Sequence, residues 1–258
     1  MVYCKEENIF LSSHSYAHKL QHLVVVIPTY NERKNLPVLI ESLEHTLDSM
    51  SVKTFVVIVD DDSPDGTGMV AEQLGKQYNN ISVLHREGKT GLGSAYKDGF
   101  KYALDRFDPT VIVQMDADNS HDPKYIPSMV EMIAKGNDVV IGSRRVDDGT
   151  VVGWGYYRKS VSSTANAVAR LMCGLDVKDV TSGYRAYSGN CLRRIDMNSI
   201  RSDGYAFQIE ILCKLKQLGC RICELPITFV DRSEGRSKLN SNEMLEFLGV
   251  CTRLMFNR

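Results

Sequence analysis

The chain has 258 residues, of which 43% are hydrophobic and 24% charged, with a formal net charge of −1. A chain of this size and ordinary globular composition buries its own core without staples, and it carries no basic surplus for nucleic acid. No apolar run approaches the ~20 residues of a membrane-crossing helix. The 7 Cys are odd in number and lack a disulfide framework, and no signal peptide precedes them. The expectation is a reducing cytosol. Cys220-x-x-Cys223 has no second pair and no nearby His, and it lies in an apolar, strand-like run, so it reads as packing.

Residues 1–21 are polar and mixed and read as an N-terminal arm. His14, His18 and His22 share a helical spacing within and beside it. Residues 23–27 (LVVVI) form a continuous β-branched run, the mark of a parallel strand buried on both faces. Pro28 ends it, and PTYNE sets Tyr30, Asn31 and Glu32 just beyond. Leu36, Leu39, Ile40, Leu43 and Leu47 define one face of a helix over 36–47.

Residues 54–59 (TFVVIV) predict a second buried strand, running into Asp60, Asp61 and Asp62. Asp61, Ser63, Asp65, Gly66 and Glu72 match a calcium-loop spacing. An EF-hand needs a helix before that loop, and here a strand precedes it. A strand-to-helix turn capped by Asp65 or Thr67 fits better, leading into a helix with Val70, Ala71 and Leu74. Residues 81–84 are a third short strand. The stretch GKTGLGSAYKDGF (88–100) fails the Walker A spacing at Val83 and the dinucleotide fingerprint at Tyr96. It remains a Gly-rich loop opening a helix, whose N-terminus can cradle phosphate.

VIVQMDADNSHD (111–122) is the centre of the chain. An apolar strand delivers Asp116 and Asp118 to its C-terminal end, with Asp122 beyond. Open α/β sheets bind ligands at that edge. Paired carboxylates repel unless a cation or proton lies between them. Hard oxygen donors suit Mg²⁺ or Mn²⁺. A solvated surface turn has the same composition, so the neighbouring motifs decide. A helix over 125–134 and a strand over 138–141 follow, the latter running into Gly142-Ser143-Arg144. This alternation predicts a doubly wound, mostly parallel α/β sheet. Residues 146–157 read as a loop. The stretch 158–173 is an amphipathic helix, with Val161, Ala165, Val168, Ala169 and Met172 opposite Arg158, Ser162 and Asn166. A strand over 184–187, a helix over 204–218 and one strand over 222–230 come next. The basic loop DRSEGRSK (231–238) precedes a last helix over 242–256, with Met244, Leu245, Leu248, Leu254, Met255 and Phe256 on one face.

In this order the motifs PTYNE, VDDDSPDGT (59–67), GLGSAY (91–96), MDADNSHDP (115–123), GSR (142–144), WGYYRKSVSSTAN (154–166), TSGYRAY (181–187), GYAFQIE (204–210) and VDRSEGRSK (230–238) resemble the family-2, GT-A-type glycosyltransferases. More narrowly, they resemble dolichol- or polyprenol-phosphate mannose synthases. The resemblance implies a GT-A domain over 22–238 and an amphipathic C-terminal helix over 239–258. It implies transfer of mannose from GDP-mannose to dolichyl or polyprenyl phosphate with inversion, a UDP-glucose-dependent glucosyl transfer to the same lipid being the alternative.

The resemblance also distributes roles. Pro28, Tyr30, Glu32 and Asp61 would hold the guanosine of the donor. Asp116 and Asp118 would bind Mg²⁺ or Mn²⁺ on its diphosphate, with Asp118 also counted as catalytic. Arg232 and Lys238 would bind the nucleotide sugar and help gather the two phosphate-bearing substrates. Arg144 and Arg158 would be catalytic and, with Ser162, would receive the lipid phosphate. Some relatives place Gln where this chain has Ser120, which leaves the third metal ligand between Ser120 and water. The expected place is the cytosolic face of a membrane, held peripherally through an amphipathic helix or a small anchoring subunit.

Overall fold

A computed structural model describes residues 20–231 and 241–256. His14, His18, Arg232 and Lys238 lie outside the described residues. The elements in order are β1 (His22–Thr29), α1 (Asn35–Leu47), β2 (Lys53–Asp60), α2 (Thr67–Gln77), β3 (Ile81–His85), α3 (Leu92–Phe107) and β4 (Val111–Gln114). They continue with a 3₁₀ turn (Pro123–Tyr125), α4 (Ile126–Ala134), β5 (Val139–Ser143), β6 (Thr150–Val152), α5 (Tyr156–Cys173), β7 (Arg185–Ser188) and α6 (Gly189–Arg193). After a second 3₁₀ turn (Met197–Ser199) come α7 (Gly204–Gln217), β8 (Ile222–Pro226), β9 (Thr228–Val230) and α8 (Ser241–Phe256).

Seven strands form one sheet in the order β3-β2-β1-β4-β7-β5-β8. All pairs are parallel except those of β7, which runs against both neighbours, β4 and β5. Alternate residues of the central strands feed two cores. Val24, Val26, Val57 and Val59 pack toward α3, α5, α7 and α8. Val25, Ile27, Val56 and Ile58 pack toward α1, α2 and α4. Burial on both faces explains why these strands are continuous apolar runs, without polar alternation. The face predicted for α1 is the buried one: Leu36, Leu39, Ile40, Leu43 and Leu47 are all in the core.

The chain winds outward from β1 through β2 to β3, then returns past β1 to lay down β4 on the other side. The switch point of the sheet therefore falls between β1 and β4, and the loops that leave their C-terminal ends flank the crevice there. Those loops are PTYNE and MDADNSHD. Because β5 runs parallel to β4 with β7 between them, the Arg144 turn opens on the same edge.

Several expectations change. The stretch 222–230 is two strands: β8 extends the main sheet, and the chain turns at buried Ile227 so that β9 pairs with β6. Residues 150–152, read as loop, supply that partner. Asn166, placed on the polar face of α5, is 4% exposed. Its side chain takes the Val180 amide at 2.9 Å and donates to the Lys178 carbonyl. Among the described side chains of α8, Phe247, Val250 and Cys251 are buried in the core, Leu254 of the expected face packs against it and Met255 is exposed, while Met244, Leu245, Leu248 and Phe256 lie outside the described side chains. His22 begins β1 and bonds through its ring to the Phe107 carbonyl at 2.7 Å, so it does not continue a helical row of histidines. Cys220 and Cys223 are both buried against different neighbours, Cys191 and the Val139 carbonyl.

Candidate active site

Asp116 and Asp118 stand in the loop after β4, and each is fixed by its own partners. The Tyr96 hydroxyl, reaching up from α3, donates to Asp116 Oδ1 at 2.7 Å. The Asp116 amide donates to His121 Nδ1 at 3.0 Å, so the imidazole carries its proton on Nε2, 3.9 Å from Asp116 Oδ2. Burial pushes His121 below its ordinary pKa and keeps it neutral. The ring stacks on Tyr184 at 4.8 Å and meets the edge of Phe229 at 5.9 Å. Asp118 Oδ1 accepts from both the amide and the hydroxyl of Ser120. Ser120 is buried, and its hydroxyl orients Asp118. Gly183 completes the pocket floor: a Cβ there would stand 3.3 Å from Asp116 Oδ2.

Across the switch point, the PTYNE loop is tied to the loop after β2. The Asn31 amide bonds to the Ser63 hydroxyl and the Glu32 amide to the Thr67 hydroxyl. The Glu32 side chain receives Asn35 at 2.7 Å. At the start of α2 the N-cap residue is Gly66 and Asp65 accepts from the amide and hydroxyl of Thr67. With a strand before this loop and Glu72 turned to His85, the calcium-loop spacing carries no EF-hand. Asp60 is spent on Thr29 and Ser63. Asp61 is buried and held by Arg86. Burial raises its pKa, and Arg86 opposes that rise. Lys89 lies over the Tyr30 ring at 3.9 Å from its centroid. Pro28 is buried in β1 beside Val59, and buried Thr29 ends the strand.

The Gly-rich loop does not offer an open phosphate cradle. The Gly93 amide at the start of α3 donates to the carboxylate of Asp203.

The third wall is a basic cluster. Arg144 is 9% exposed and makes a bidentate pair with fully buried Asp179 at 2.7 and 2.8 Å. Its guanidinium lies between Trp154 and Phe229, at 5.6 and 5.3 Å from the ring centroids. Arg158 packs over the same Trp154 at 4.2 Å and pairs with Asp231 at 2.7 Å. Ser162 receives Arg145 Nη2 at 2.8 Å. Contacts therefore run continuously from Asp116 through His121 and Phe229 to Arg144, Asp179 and Arg145.

Tyr96, Arg86, His121, Asp179 and Arg145 were not singled out from the sequence as site residues. Each acts on a partner far away in the chain, apart from His121, whose place in MDADNSHD gave the only local signal.

Two hard carboxylates with separate anchors, Asp116 still one-third exposed, fit a hard divalent cation that takes its other ligands from a diphosphate and water. Among the described residues, no three His, Cys, Asp or Glu side chains surround one point, so a site built wholly from such protein ligands is not present there.

The profile of glycosyl transferase family 2 matches residues 24–195. The chain belongs to glycosyl transferase family 2. It is 42% identical over 232 residues, 90% of this chain and 93% of the relative, to an undecaprenyl-phosphate mannosyltransferase of Micrococcus luteus. It is 40% identical over 227 residues, 88% of this chain and 84% of the relative, to a polyprenol monophosphomannose synthase of Mycolicibacterium smegmatis. A crystal structure of glucosyl-3-phosphoglycerate synthase from Mycobacterium tuberculosis with Mn²⁺, UDP-glucose and phosphoglyceric acid matches 91% of this chain and 81% of that one, with a TM-score of 0.65 and 21% identity. That likeness establishes the shared GT-A fold. The expectation of a family-2 GT-A glycosyltransferase therefore holds. Among the described residues, no helix is long and apolar enough to cross a membrane.

Proposed function

We propose that this chain transfers mannose from GDP-mannose to dolichyl or polyprenyl phosphate, inverting the anomeric carbon. The observation that carries the reading is the facing of the anchored Asp116–Asp118 pair by a cluster of arginines, in a chain about 40% identical to two polyprenyl-phosphate mannosyl enzymes. Pro28, Tyr30, Glu32 and Asp61 line the nucleoside side of the crevice. Asp116 and Asp118 would hold Mg²⁺ or Mn²⁺, which would supply charge neutralisation at the donor's diphosphate. Arg232 and Lys238 are assigned to nucleotide-sugar binding from the motif alone.

The acceptor phosphate is already largely anionic at neutral pH. It needs no strong base, and His121 is not one, because Nδ1 is occupied by the Asp116 amide. What it needs is relief from repulsion by the donor, which Arg144, Arg158 and Ser162 supply at the crevice wall. A single in-line displacement gives a β-linked product. The turn and helix on that wall expose Tyr156 and Tyr157, at 92% and 85%, beside half-exposed Val152 and Val230. Aromatic and apolar side chains next to an Arg cluster suit the interface of a membrane, where the lipid acceptor resides. That supports a peripheral place at a membrane surface, the cytosolic face being the one proposed.

The test of the donor is titration of the protein with GDP and UDP in the presence of Mn²⁺. Tighter binding of GDP is expected. Tighter binding of UDP would replace the mannosyl reading with the glucosyl one.

A further inference from the structure

Helices α3 and α7 lead into β4 and β8, which run parallel to β1 and β5, so both helices begin at the carboxyl edge of the sheet, beside the crevice. Asp203 joins their first residues. Its Oδ1 accepts the Gly204 amide at 2.8 Å, capping α7, and also accepts the Gly93 amide in the first turn of α3. Its Oδ2 fills the place of an absent side chain: a Cβ on Gly91 would stand 1.3 Å from it. A Cβ on Gly93 would stand 2.9 Å from Oδ1. The two glycines let a carboxylate lie directly on the start of α3, where the helix dipole favours negative charge.

That first turn supports two parts of the donor site. Ser94 receives Arg86 Nη2 at 2.6 Å, and Arg86 holds Asp61. Tyr96 holds Asp116 at 2.7 Å. A movement of the turn displaces both supports.

The residues before Asp203 are held in turn by α8. Glu210, 4% exposed on α7, accepts the amides of Arg201 and Ser202 on Oε2, at 3.2 and 2.8 Å. Arg253, in the last turn of α8, donates through Nη2 to the same Oε2 at 3.1 Å and to the Ser202 hydroxyl at 2.8 Å. A buried carboxylate thus fixes the 201–202 backbone, and its guanidinium partner comes from the C-terminal helix. Removing that partner leaves a buried charge uncompensated and frees the backbone it holds.

We propose that Arg253 and Asp203 are positioning residues for the nucleotide donor. The seating of α8 passes through Ser202 and Glu210 to Asp203, and through Asp203 to the α3 turn that supports Asp61 and Asp116. The proposal rests on the donor-site reading above and adds to it a dependence on the C-terminal helix.

The test is a double-mutant cycle read in the calorimetric affinity of the full chain for GDP with Mn²⁺. The variants are Arg253→Met, Asp203→Ala and the two together. No hydrogen bond or ion pair joins Arg253 to Asp203 among the described residues, so independent effects on packing would add. Each single variant is expected to bind GDP about three- to tenfold more weakly. The double variant is expected to bind no more weakly than Asp203→Ala alone. Asp203→Asn keeps an oxygen for both amides and should bind GDP nearly as well as the unaltered chain. Additive losses in the double variant, or unchanged GDP affinity in folded Arg253→Met, overturn the proposal and leave the donor reading standing. If Arg253→Met does not fold, Arg253→Lys replaces it, keeping the charge without the fork. A loss of about twofold is then expected, and unchanged affinity overturns the proposal. If the unaltered chain binds UDP in place of GDP, the cycle is run with UDP. Non-additive losses there support the positioning role and remove the mannosyl reading. Binding of neither nucleotide by the unaltered folded chain overturns both.

Discussion

The Tyr96 hydroxyl, from a fully buried ring on α3, donates to Asp116 Oδ1 at 2.7 Å. The ring is stacked against Phe100 and Phe207, with centroids 5.8 and 6.1 Å away, so the hydroxyl has a fixed position. Burial and the neighbouring carboxylate both push its pKa well up, so it donates throughout the working range. This contact occupies Oδ1, while Oδ2 lies 3.9 Å from His121 Nε2. Tyr96→Phe keeps the packing and removes the donor. The expected result is a roughly 10- to 100-fold lower apparent affinity for Mn²⁺, the usual effect of losing the partner that orients a metal ligand. Metal titration of GDP binding measures it, and a thermal melt checks that the fold is kept.

Asp179 is fully buried against Arg144. Burial alone would raise its pKa, but Arg144, through its charge and its hydrogen bonds, and Arg145 hold it below the ordinary aspartate value. A folded value below the unfolded one means stability that is present at neutral pH and lost as pH falls through the depressed folded value. Asp179→Asn leaves Arg144 buried without its counter-charge, and the expected cost is about 3 kcal/mol. Below about pH 4 the variant should also show a shallower fall of stability than the unaltered chain. Urea melts across that range measure both.

The buried Asn166 was legible only as a polar residue on a helix. Periodicity assigns a face by residue type, and an amide satisfied by the Val180 amide and Lys178 carbonyl is as admissible in a core as a methyl. The same limit hid Asp179 and Arg145, whose roles depend on pairings made only when β5, α5 and the 178–181 turn come together. The strands were the clearest part: runs such as LVVVI have no other stable place than a sheet covered on both faces. The 222–230 run was read as one strand because nothing in its apolar composition marks the turn at Ile227. The Asp-x-Asp pair was legible because its strand delivers it to the sheet edge. Its anchor Tyr96 was passed over as the residue that spoils a dinucleotide fingerprint.

Asn166→Ala removes both bonds to the 178–181 turn. The expected loss of stability is about 1–3 kcal/mol, that of leaving a buried amide and carbonyl unmet. Because that turn carries Asp179, the KM for the lipid acceptor should rise more than the KM for the donor. Paired chemical melts and steady-state kinetics test this.

Gly99 on α3 lies against β1 and β2. An added Cβ would stand 2.5 Å from Val26 Cγ1 and 2.9 Å from Val59 Cγ2. Alanine normally favours a helix, yet Gly99→Ala should destabilise by about 1–3 kcal/mol because the core has no room. A raised melting temperature in the variant would contradict this packing.

The central claim is that the Asp116–Asp118 pair and the facing arginines carry mannose from a nucleotide donor to a lipid phosphate. The most direct measurement is transfer of labelled mannose from GDP-mannose to a polyprenyl phosphate in vesicles, with Mg²⁺ or Mn²⁺ and then with chelator. An organic-extractable, mild-acid-labile product that disappears on chelation and in Asp118→Asn is the predicted result. Absence of any lipid-linked product from folded protein that binds GDP, or a product indifferent to chelator and to Asp118→Asn, would contradict it.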